Sequence, residues 1–143
     1  MLVAADNVAF ISRRLWVLYA VCLPLLANDV EGRNEDTFDQ TMALLERQLK
    51  DTCIVGPQRE FRLSFLYALV HDPALQRLRS QLRTLDLTSA EREKLRAFWK
   101  RCRATLAERT TPEQQRQFKY FMKRYIGPNT HPKLPPARPK VRK

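Results

Sequence analysis

Between residues 37 and 112 this chain carries four helix-start signals, which leaves room only for a succession of short helices. Thr37 and Gln40 have the spacing of a capping box, and so do Thr88 and Glu91; Asp72 is followed by Pro73, and Thr111 by Pro112. A Thr or Asp side chain at such a position accepts from a first-turn N–H that has no other partner, and proline fits the first helical position because its missing N–H is not needed there. Gly56 with Pro57, and Gly127 with Pro128, mark stops. Only three glycines occur in 143 residues, too few for the tight turns of a β-rich fold.

Apolar residues between these signals recur at three- and four-residue steps, the spacing that places them on one helix face. Phe38, Met42, Leu45 and Leu49 form the first such row. Phe61, Phe65 and Leu69, with Leu66 and Val70 beside them, form a second and unusually apolar one, which predicts a central helix. Leu75, Leu78, Leu82 and Leu85 follow, then Leu95, Phe98, Cys102 and Leu106, then Phe118, Phe121, Met122 and Tyr125. The fold expected is all-α: a compact bundle of about five short helices over residues 33–127, with short joins favouring antiparallel neighbours. Residues 128–143, with four prolines among Lys and Arg after Pro128, have no periodicity and are expected to be an extended basic tail.

The segment before this bundle reads differently. The run Leu15–Ala27 is apolar over 13 residues, short of the roughly 20 that cross a bilayer as a helix. Arg13 and Arg14 precede it, and Ala27 or Gly32 ends it with a small residue, the layout of a secretory signal peptide. Residues 1–27 are therefore expected to be a leader, with a cut as late as residue 32 and no stable membrane insertion. A buried core helix and an uncleaved anchor are the other readings of the same run. Removing the leader removes Cys22 and leaves Cys53 and Cys102, an even pair for which a disulfide is expected in an oxidising compartment. Such a bridge would stabilise the fold by roughly 4 kcal/mol in the chain-entropy model; two buried thiols are the alternative.

No site for chemistry emerges. Nucleophilic or acid–base catalysis needs a nucleophile and a base brought together, yet His71, at a helix junction, is the one histidine within the helical part. His71 and His131 show no metal-ligand spacing with the cysteines. A non-enzymatic protein without cofactor or metal is expected.

Charge is the stronger clue. Lys and Arg number 26 against 15 Asp and Glu, a net charge of +11, which favours anionic partners. Arg92, Arg96, Lys100 and Arg103 form a stripe along one helix, and Arg116, Lys119 and Lys123 another. Lys133, Arg138 and Lys140 continue the charge into the tail, and Arg79 and Arg83 could extend the patch. If the stripes lie side by side they make one cationic binding surface. The expected function is that of a secreted, monomeric binding protein that inhibits an extracellular protein or occupies an anionic glycan surface. An intracellular nucleic-acid binder is one alternative. A carrier that encloses an apolar ligand among Phe61, Phe65, Phe98, Phe118 and Phe121 is another.

The leader "LWVLYAVCLPLLA", the Cys53 and Cys102 pair and the basic helix "EREKLRAFWKRCRATLAER" together resemble the small helical salivary proteins of blood-feeding mosquitoes, of the anophensin and albicin type. The resemblance implies inhibition of a host plasma cascade, contact activation or the complement alternative pathway, by binding protein complexes rather than by catalysis. It carries over no functional residue.

Overall fold

The structure, a computed structural model, describes residues 5–27, 35–85 and 87–126. They form six helices and, among the described residues, no strand: α1 (Ala5–Ala27), α2 (Glu35–Thr52), α3 (Arg59–His71), α4 (Pro73–Arg83), α5 (Ser89–Arg109) and α6 (Pro112–Tyr125). The all-α expectation holds, with one helix more than the five expected. The tail, including Lys133, Arg138 and Lys140, lies outside the described residues, as do residues 28–32 around the expected cut.

The additional helix is α1, and it is built into the core. Ile11, Leu15, Leu18, Tyr19, Cys22 and Leu25 fall on one face at helical spacing and are almost completely buried. Its partners are α2, α3 and α4. Arg14 fastens it further: the guanidinium donates to Gln48 Oε1 at 2.5 Å and lies 4.5 Å from the centre of the Phe65 ring. Burial holds this arginine below its ordinary pKa, a shift that Asp51 opposes and Arg62 reinforces. A charge expected to flank a leader is thus a cross-helix anchor. No described helix is long and apolar enough to cross a membrane.

α3 is the axis of the bundle. All residues from Leu63 to Val70 are buried, and the helix packs against each of the other five. A helix apolar on every side needs neighbours on every side, and this one has them. The buried hydroxyl of Ser64 donates to the Phe61 carbonyl at 2.7 Å, so its polarity is satisfied within the helix.

Three of the four helix starts are realised as the sequence predicts. Asp72 caps α4 by accepting from Leu75 N, with Pro73 at the first position. Thr88 and Glu91 form a complete capping box on α5, and Thr111 caps α6, where Gln114 completes a second box. Thr37 does not cap α2, which begins two residues earlier at Glu35; the Thr37 carbonyl instead accepts from the Thr41 hydroxyl. Tyr125, expected on the apolar face of α6, is 45% exposed, and Ile126 fills the buried position beyond Met122.

The expected disulfide between Cys53 and Cys102 is not formed: Cys22, Cys53 and Cys102 are all free. The two thiols occupy different surroundings. The Cys53 carbonyl accepts from the Arg109 guanidinium at 3.3 Å, and Cys53 lies half-buried at the crevice between α2 and α5. Cys102, by contrast, is completely buried and faces the core. Bonded cysteines need Cα atoms within about 7 Å.

Burial of two thiols and one phenol has a consequence in alkali. Burial pushes both the Cys22 and the Cys102 thiol up to about 12. Tyr19 is also raised, by burial first and then by its bond to Asp72. In the unfolded chain these groups ionise near pH 8.5 and 10. The unfolded state therefore loses protons that the folded state retains, and stability falls as pH rises through this window. Denaturant midpoints at pH 7, 9 and 10.5 are expected to decline in that order; a constant midpoint would contradict the burial of these groups.

Candidate functional site

α4 and α5 both rest on α3, but they are not a closely packed pair, and a groove of about 380 Å³ opens between them. Its floor is apolar: Leu82 from α4, Leu87 from the connection, and Leu95 and Trp99 from α5, all buried. Arginines line the rest, Arg79 and Arg83 from α4 and Arg92, Arg96 and Arg103 from α5. The described residues of the lining include no carboxylate. Residues 79, 82 and 83 share one face of α4, and residues 92, 95, 96, 99 and 103 one face of α5, so two single helix faces supply nearly the whole groove.

The five arginines are not equivalent. Arg92 donates to the carbonyls of Leu85 at 2.9 Å, Arg83 at 3.2 Å and Leu87 at 3.3 Å. A helix leaves its last carbonyls without intrahelical donors, and Arg92 supplies them at the end of α4, which holds the hinge of the groove. Arg96 pairs with Glu93 one turn away on the exposed surface. Arg83 and Arg103 are exposed, and neither has an acidic partner among the described ion pairs.

Arg79, like Arg92, is half-buried. Its guanidinium sits 5.4 Å from the centre of the Trp99 ring, within cation–π range. Burial lowers its pKa, and Arg103 and Arg83 lower it further. The same crowding extends to α6: burial lowers the pKa of His71, whose ring lies 4.4 Å from that of Tyr67, and Arg79 and then Lys119 add to the shift. Like charges from α4 and α5 thus converge on the groove, and among the described ion pairs only Arg96 of the five has an acidic partner. The Trp99 Nε1 is buried and has no hydrogen-bond acceptor among the described residues.

A crevice between α2 and α5 provides a contrast. Of about 510 Å³, it includes Glu46, Lys50, Arg101 and Glu108, and Arg101 closes an ion pair with Glu46 across it. Its charge is balanced from within.

The structure therefore redistributes the residues singled out in the sequence. Arg92, Arg96 and Arg103 come together with Arg79 and Arg83; Lys100 is exposed on α5 outside the groove. Arg116, which pairs with Glu113, and Lys119 and Lys123 lie on α6. α5 and α6 flank α3 and are not a closely packed pair, so the two stripes do not lie side by side. Leu87 and Trp99 were missed as floor residues. Trp99 sits three residues from Arg96 and four from Arg103, a spacing that could have placed it beside the stripe. No group of three His, Cys, Asp or Glu side chains able to hold a metal is found among the described residues. The chain matches no family model, no curated protein and no solved structure.

Proposed function

We propose that this chain is a non-enzymatic binding protein that holds an acidic partner at the α4–α5 groove, and that α1 remains part of the folded molecule. The observation that carries the binding reading is the convergence of Arg79, Arg83 and Arg103 over an apolar floor, with no carboxylate among the described residues of the lining. Structural arginines on a bundle surface find acidic partners, as Arg101 and Arg116 do here. An uncompensated cluster is retained at a cost in self-repulsion that a bound anion removes.

Retention of α1 is supported by its six buried side chains and by the Arg14 and Tyr19 bonds to the body. The secreted form lacking residues 1–27 is the competing reading. Intact mass of the protein from cells and from medium, with thiol counting in denaturant, separates the two. A full-length species with three free thiols is expected. A species lacking roughly 27–32 residues would restore the leader.

The binding reading is tested by charge reversal. Arg83→Glu with Arg103→Glu changes two exposed side chains and is expected to leave helicity unchanged. Affinity for a fluorescein-labelled Glu/Asp-rich peptide, read by anisotropy at 50 mM salt, is expected to fall at least tenfold. Equal affinity in a variant of intact helicity would move the binding surface elsewhere.

A further inference from the structure

Charge alone does not distinguish a nucleic acid from an acidic protein, but the floor of the groove does. Single-stranded nucleic acid is held by a basic track with aromatic faces on which bases stack. Trp99 is the one aromatic residue in the lining, and it is only 6% exposed. Its ring carries the Arg79 guanidinium and meets the Phe98 ring at 69°. No stacking platform is left. Duplex recognition through phosphates would not use a recess floored by Leu82, Leu87 and Leu95 at all.

That recess suits apolar side chains. A cavity of about 150 Å³ holds one benzene, so a groove of about 380 Å³ has room for roughly two such groups. Around it, Arg79, Arg83 and Arg103 present forked donors matched to carboxylates. The chain's own tail is excluded on charge, since residues 128–143 carry five Lys and Arg and no Asp or Glu.

We propose that the groove takes an acidic amphipathic segment of a partner protein, with two apolar anchors about one helical turn apart seated on Leu82, Leu87, Leu95 and Trp99, and flanking carboxylates on Arg79, Arg83 and Arg103. This is recognition of a helix in a groove, with anchors at i and i+3 or i+4. It rests on the binding reading above and adds the class of the partner. Specificity comes from the anchors, and charge supplies the rate of encounter and its dependence on salt.

The chain has two tryptophans. Trp16 is half exposed on α1 and takes no part in the groove, so Trp16→Phe in the full chain leaves Trp99 as the sole reporter. Three probes of equal net charge are titrated: an acidic 14-residue peptide with Leu and Phe anchors four apart, the same peptide with both anchors changed to Ser, and a single-stranded oligonucleotide. The anchored peptide is expected to change Trp99 emission and to bind at least tenfold more tightly than the other two, with the difference lost in Arg83→Glu/Arg103→Glu. Equal binding of all three without a change in Trp99 emission, yet sensitive to the charge reversal, would overturn this proposal and leave the general anionic-partner reading standing. Binding insensitive to the charge reversal, or none to any probe, would overturn both.

Discussion

A chain that starts at residue 28 is expected to lose its cooperative thermal transition and to bind ANS. Deleting α1 removes Ile11, Leu15, Leu18, Tyr19, Cys22 and Leu25 from the core, all at most 1% exposed. A fully buried large side chain contributes roughly 1.5–3 kcal/mol, and a domain of this size is stable by about 5–15 kcal/mol in total. The loss is therefore comparable to the whole. The deletion also uncovers the α2, α3 and α4 surfaces that α1 packs against, so the fragment would expose apolar area on both sides of the cut. Helical circular dichroism would persist in part, because the capping boxes of α5 and α6 are local. A fragment that melts in one sharp transition would show that α2–α6 form a body able to fold alone, and would return residues 1–27 to the role of a leader.

Replacement of Asp72 by Ala is expected to destabilise the intact chain by about 2–4 kcal/mol, with Tm lowered by about 10 °C. This buried carboxylate does two jobs. It caps α4 through Leu75 N at 3.4 Å, and its Oδ2 accepts from the Tyr19 hydroxyl of α1 at 2.6 Å. Losing a cap costs about 1 kcal/mol, and a buried hydroxyl deprived of its acceptor costs about 1–3 kcal/mol. Tyr19→Phe isolates the second part and Asp72→Asn restores an acceptor for both, so the ranking Asn above Ala is part of the expectation. Urea denaturation of the three variants checks it. If Asp72→Ala were neutral, the junction of α3 and α4 would not be held by this residue.

What the sequence made legible was local. Thr88 with Glu91, and Thr111 with Pro112, state their role within four residues, and the structure realises both. The inward rows from Phe38 to Met122 follow from helical spacing and are buried. Thr37 shows the limit of such reading, since Glu35 and Asp36 extend α2 past the apparent box. The site was less legible, because its members meet only after α4 and α5 lean on α3. The stripe in α5 was visible, but nothing near Arg92 indicates that its guanidinium is committed to three carbonyls of the α4–α5 connection. The apolar run of α1 suits a leader and a core helix equally, since both need the same side chains. Only its partners, Gln48, Phe65 and Asp72, tell them apart, and they lie 34 to 53 residues away.

That separation also has a meaning in time. The acceptor for Tyr19 is 53 residues downstream, so α1 leaves the ribosome before its partners have been made. At about 5–20 residues per second the wait is roughly 3–10 s. Throughout it, the apolar run Leu15–Ala27 lacks the α3 and α4 surfaces that cover it in the folded molecule. Burial of the inward face of α1 therefore waits on the synthesis of α3 and Asp72, and the segment that is first in the chain is among the last to be covered.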